Sequence, residues 1–235
     1  MPGRAGMEPA GVGAGDGRTE VKMKITLSFD NGPEPEVTDH VLDVLGAQGV
    51  RSTFFVIGQK LADPERRARA ERARAEGHWI GNHSLTHTMP FGRRADRDGA
   101  EDEIGRAQRM LGALAHPDRL FRPFGGGGAL DSGLLNRKVV DYLCAGGFTC
   151  VLWNCVPRDW EDPVGWVERA LAQCRAVPWS VVVLHDLPTS AMLGLERFIV
   201  RLRDAGAEIV QDFPPACVPI LRGRLMFPVD QYMAA

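Results

Sequence analysis

Along this chain the spacing of apolar residues switches repeatedly between two periods, and that alternation limits the fold more than any other feature. In residues 21–30, Val21, Met23, Ile25, Leu27 and Phe29 alternate with polar neighbours until Gly32-Pro33 interrupts the run, a period of two that marks a strand. Pro35 then opens a stretch in which Val37, Val41, Leu42 and Leu45 recur at helical spacing before Gly49, and residues 53–57 read as the next strand. The pattern continues with an Arg/Ala/Glu-rich helix over 64–76, a short strand around Trp79-Ile80, and a helix carrying Ile104, Ala107, Leu111 and Leu114. Further strands are predicted at 120–121, 149–153, 180–184 and 208–210, and further amphipathic helices near 134–145, 164–176 and 192–205. Seven strands alternating with helices predict a parallel α/β sheet with helices outside it, either open and doubly wound or closed into a barrel.

At 235 residues the chain is long enough for one large enclosed core. Residues 1–20, rich in Gly, Ala and Pro and without an apolar leader core, read as a flexible tail, and 21–235 as one catalytic domain. A net charge of -2 points away from a nucleic-acid or membrane-surface partner, and no segment approaches the ~18–20 apolar residues of a membrane span. The five cysteines, Cys144, Cys150, Cys155, Cys174 and Cys217, are odd in number and form no CxxC pair, which predicts reduced thiols and a cytoplasmic location. The Arg-rich run 66–74 reads as a solvated helix face.

Candidate chemistry collects where strands end. Asp30 and Asn31 stand where the first strand leaves the core, although Asp-Asn-Gly-Pro is also ordinary turn chemistry. His83 and His87 lie four residues apart just after a short strand, a separation that places two imidazoles on one side of a helical turn within reach of one metal ion. After Arg122, Pro123 and Phe124 come four glycines, Gly125 to Gly128, which serve either a loose loop or a close approach of backbone to a ligand. Asp159 and Trp160 follow one further strand, and His185 ends an all-apolar one, where an imidazole suits acid or base work. Five predicted strand ends thus carry reactive side chains, all on the carboxyl side.

With these segments in view, the chain from about residue 21 to 212 resembles the polysaccharide deacetylase family, also known as the NodB homology domain or carbohydrate esterase family four. The resemblance implies an irregular (β/α) barrel of about seven parallel strands, TIM-barrel-like. It makes Asp30 the general base, and Arg122 the partner of that base. His83 and His87 become metal ligands, and Asn31 stands where the family's T-F-D-D-G-P motif has a metal-binding Asp. The family's R-x-P-Y is here Arg122-Pro123-Phe124-Gly125, which makes Phe124 and Gly125 candidates for substrate contact. Asp159 would orient the general acid His185, and Trp160 and Val183 would wall the acyl pocket. The implied cofactor is a divalent metal, zinc, that activates water and polarises the acyl oxygen. Its attraction to the site is weakened by a neutral amide in place of a carboxylate.

The implied activity is N-deacetylation of an acetylated amino sugar or related small amide, with a small-molecule or carbohydrate substrate. The missing leader points to a soluble intracellular one rather than a wall polymer. Two other readings stay open: a metal-independent, allantoinase-like hydrolase of ureides or amides, and an inactive homologue that only binds carbohydrate. Retention of Asp30, His185, Asp159 and Arg122 argues against the last, since a binding module needs no matched acid and base. A structural metal site would need more ligands than one histidine pair.

Overall fold

The computed structural model describes residues 23–94 and 99–234, so the expected tail lies outside the described residues. The predicted alternation is present: β1 (Lys24–Asp30), α1 (Val37–Ala47), β2 (Thr53–Val56), α2 (Pro64–Ala75), β3 (Trp79–Asn82), α3 (Arg106–Leu111), β4 (Leu120–Phe121), α4 (Arg137–Ala145), β5 (Thr149–Cys150), α5 (Trp166–Cys174), β6 (Trp179–His185), α6 (Leu195–Asp204) and β7 (Glu208–Val210). Local chemistry sets several starts. Asp63 caps α2 by accepting from the Glu65 amide, with Pro64 at its first position, and Asn136 caps α4 by accepting from the Val139 amide.

The sheet runs β6-β1-β2-β3-β4-β5, all parallel, and β7 pairs with the first half of β1. Period two divides β1 between two environments. Ile25, Leu27 and Phe29 join a core with Leu42, Leu45, Trp166, Phe198 and Leu202 from the flanking helices, while Ser28 and Asp30 face Arg122. Hydrophobic burial against helices thereby fixes the register that turns Asp30 to the other face.

Four features depart from the sequence reading. The strand expected over 149–153 is only two residues long, because the chain changes partners: Val151 donates to Phe121 O, Leu152 to Cys217 O and Cys155 to Val181 O. Cys155 then bridges Val182 in parallel, so the curled sheet reaches round toward β6 in a barrel-like form. A two-stranded antiparallel extension, β8 (Ile220–Leu221) and β9 (Arg224–Leu225), was not foreseen; two residues are too few to show a period. The helix expected around Ile104 starts as a π-helix, Glu101–Gly105, where Asn82 donates its side-chain amide to the Ile104 carbonyl. Finally, His83 and His87 are not on a helix. Residues 84–87 form an irregular loop with left-handed backbone at Ser84 (φ 65°) and His87 (φ 53°).

Candidate active site

The parallel register of β1 and β6 makes Asp30 and His185 direct Cα partners at the carboxyl ends of neighbouring strands. Each has a second partner behind it. Arg122, fully buried just past β4, donates from Nη1 to Asp30 Oδ1 at 2.8 Å and to Ser28 Oγ at 2.7 Å, and from Nε to Val151 O at 3.3 Å. Its guanidinium also lies 4.1 Å from the Phe55 ring centroid. A charge taken wholly out of water needs this many partners. Asp159, also fully buried, accepts the His185 backbone amide on one oxygen and faces His185 Nδ1 at 2.9 Å with the other. Burial alone would push the His185 imidazole down. The hydrogen bond and charge of Asp159, with Asp30 and Asp186 adding, reverse this and hold it above its ordinary value.

His83 and His87 come together despite the missing helix, with ring centroids 4.5 Å apart. The His83 Nδ1 lies 2.8 Å from the Arg122 carbonyl, which assigns that nitrogen the proton and leaves Nε2 free as a donor of its lone pair, 3.6 Å from Asp30 Oδ2. Burial pushes His83 and His87 each down to about 3, so both imidazoles are neutral at physiological pH. Asn31, held at φ 76°, has a buried Oδ1 without a hydrogen-bond partner. Two neutral imidazoles and an orphaned amide oxygen beside a carboxylate fit a divalent cation. Among the described residues, no group of three His, Cys, Asp or Glu converges as a metal site, so a third donor from this set would have to be the Asn31 amide.

The sequence-predicted residues divide between a cavity and its backing. Asp30, Asn31, His83, His87, Phe124, Gly125, Trp160, Val183 and His185 line one cavity of about 250 Å³. Arg122 and Asp159 do not line it; they stand behind Asp30 and His185, which they contact. Phe124 packs on His87 with centroids 3.9 Å apart, and Trp160 meets His185 edge-on at 4.8 Å. Asp186, next to His185, points away to Thr38, and burial pushes it up to about 7.

Trp153, Val156 and Leu187 complete the wall and escaped the sequence reading. The four glycines were the available signal. A Cβ on Gly125 would fall 2.5 Å from the Trp153 ring, and one on Gly128 (φ 80°) 2.7 Å from Val156, while Trp153 Nε1 donates to the Gly128 carbonyl. The glycines therefore let backbone lie directly on the indole, and the loop becomes a cavity wall. Ser28 was also missed; it donates to Val182 O and receives Arg122.

The family model for polysaccharide deacetylase matches residues 17–149. The chain belongs to this family. It is 34% identical to a chitooligosaccharide deacetylase of Bradyrhizobium sp. (strain ANU 289) over 167 residues, 69% of this chain and 70% of that one. A solved T48 deacetylase with substrate superposes with a TM-score of 0.65 at 29% identity, covering 81% of this chain and 88% of that one. A family 4 carbohydrate esterase from Streptomyces lividans, in complex with acetate, gives 0.68 at 26% identity, covering 83% and 95%. The chain is thus an enzyme of the polysaccharide deacetylase type with that family's barrel-like fold. Deacetylases of this family are in general metal-dependent. The family match ends before Asp159, Trp160, Val183 and His185, which reach the site through the β6 register and the segment after β5.

Proposed function

We propose that this protein hydrolyses the N-acetyl group of an acetylated amino sugar or related small amide with the help of a bound divalent metal, zinc. The observation that carries the reading is the paired arrangement at the β1 and β6 ends: a carboxylate backed by a guanidinium facing an imidazole backed by a carboxylate. A cation held by Asn31, His83 and His87 would supply Lewis-acid activation of water and of the acyl oxygen. Asp30, which accepts a hydrogen bond from Arg122, takes the proton of the attacking water. His185, kept protonated by Asp159, gives its Nε2 proton to the departing amine. Phe124, Trp153, Trp160, Val183 and Leu187 exclude bulk water and hold the acyl group.

We place the protein in the cytoplasm, a reading supported by its five free thiols; cell fractionation tests it. The activity is tested by metal analysis of the purified protein followed by amine release from a panel of N-acetyl sugars and ureides, with and without a chelator. Chelator-sensitive release from an acetylated amino sugar is expected. Release that survives chelation would favour the metal-independent ureide hydrolase, and no release with metal bound would overturn the proposal.

A further inference from the structure

The loop between His83 and His87 lacks the hydrogen bonds of a helix, so something else must set the separation of its two imidazoles. Its outward carbonyls are tied down: Ser84 O accepts from Gly58 and Leu85 O from Gln59. Its amides are more unusual, because each N–H from Ser84 to His87 ends on a side-chain oxygen. Ser84 N donates to Asn82 Oδ1, His87 N to Ser84 Oγ, and Leu85 N and Thr86 N both donate to Glu103 Oε2, at 3.1 and 2.9 Å. The other oxygen of Glu103 accepts from Thr86 Oγ1 at 2.6 Å and from Arg94 Nη1 at 3.2 Å. Glu103 is only 7% exposed, although carboxylates rarely lie so deep, and it projects from the π-helix, a local irregularity that often marks functional positions.

We infer that Glu103 is a positioning residue for the metal pair: it clamps the turn between His83 and His87 and sets the imidazole geometry without touching metal or substrate. Its charge is paired with Arg94, so Glu103 acts through the turn it holds rather than by attracting the cation itself. The inference rests on the metal-binding reading above. Outer partners of metal ligands typically govern about 10–100-fold in metal affinity.

The test is zinc titration by calorimetry of wild type, Glu103→Ala, Glu103→Gln and Thr86→Val, with thermal melts of each and amine release at saturating zinc. Glu101→Gln is the control, since Glu101 is exposed and pairs with Tyr142 and Arg109. Zinc affinity should fall about 10–100-fold in Glu103→Ala and less in Glu103→Gln, whose amide oxygen still accepts one pair of donors. Thr86→Val should lose several-fold, and the control should match wild type. Turnover should recover as zinc is raised.

Lower melting temperatures with zinc affinity within about twofold of wild type would reduce Glu103 to a structural group and overturn the inference, leaving the metal reading intact. Wild type that takes up no zinc would overturn the metal reading and this inference with it. Should Glu103→Ala not fold, Glu103→Gln and Thr86→Val decide by the same criterion.

Discussion

The Asp30–Arg122 pair offers a test in which stability and activity must separate. Arg122 is wholly buried and Asp30 is 4% exposed, so each neutralises a charge that water cannot reach. Breaking such a pair by removing one partner costs about 3–5 kcal/mol. Asp30→Asn falls at the lower end, because the amide oxygen can still accept Nη1. Arg122→Met falls at the upper end, since it also strips donors from Ser28 Oγ and Val151 O and the cation from the Phe55 face. For a chain of this length these losses lower the melting temperature by roughly 6–20 °C. Independent effects would sum to about 6–10 kcal/mol in the double variant, but neither buried charge then remains. The double variant is therefore expected within about 1–3 kcal/mol of wild type, a large coupling energy. Urea unfolding of the metal-free proteins measures all four corners, while amine release should be lost in all three variants. Single variants costing under about 1 kcal/mol, or strict additivity, would refute the view of Asp30 and Arg122 as a coupled buried pair.

Asn31→Asp should raise zinc affinity by about tenfold or more, ~1.4 kcal/mol, as an anionic donor replaces a neutral one; equal affinities by calorimetry would remove Asn31 from the ligand set. Asp159→Asn should move the alkaline limb of the kcat/KM profile to lower pH, because the hydrogen bond and charge that raise His185 are weakened. The sign follows from His185, whose raised value keeps the acid form until pH passes it. The same pair's stability contribution is full below about pH 6.5 and lost as pH rises through the folded value, so Asp159→Asn should also flatten the stability profile there. Gly125→Ala should cost about 1–3 kcal/mol and raise KM as the Trp153 indole is displaced, with zinc affinity unchanged; normal KM and stability would show that the loop does not rest on the indole.

Much of the site was legible because barrel-like α/β folds gather strand ends, and reactive side chains at successive strand ends are adjacent on the chain to strong apolar runs. Asp30 and His185 were found this way. Trp153 was not, since an apolar residue inside an expected strand reads as core, and only the departure of the chain from the ladder after Cys150 turns it into a wall. Glu103 was hidden for a related reason: a glutamate in an amphipathic helix reads as solvated surface until the loop it holds is known.

By itself, the sequence determined the alternation of strands and helices, the face that each strand buries, and the residue types at the strand ends. These are local, because side-chain period and propensity act over a few residues. Tertiary structure decided which ends meet. The β1–β6 register sets Asp30 against His185, the buried guanidinium of Arg122 joins β4 to β1, and a carboxylate from the π-helix shapes the histidine loop in place of helical hydrogen bonds. Burial pairs charges and satisfies amides wherever distant segments are brought together, and that pairing depends on distance in space rather than along the chain.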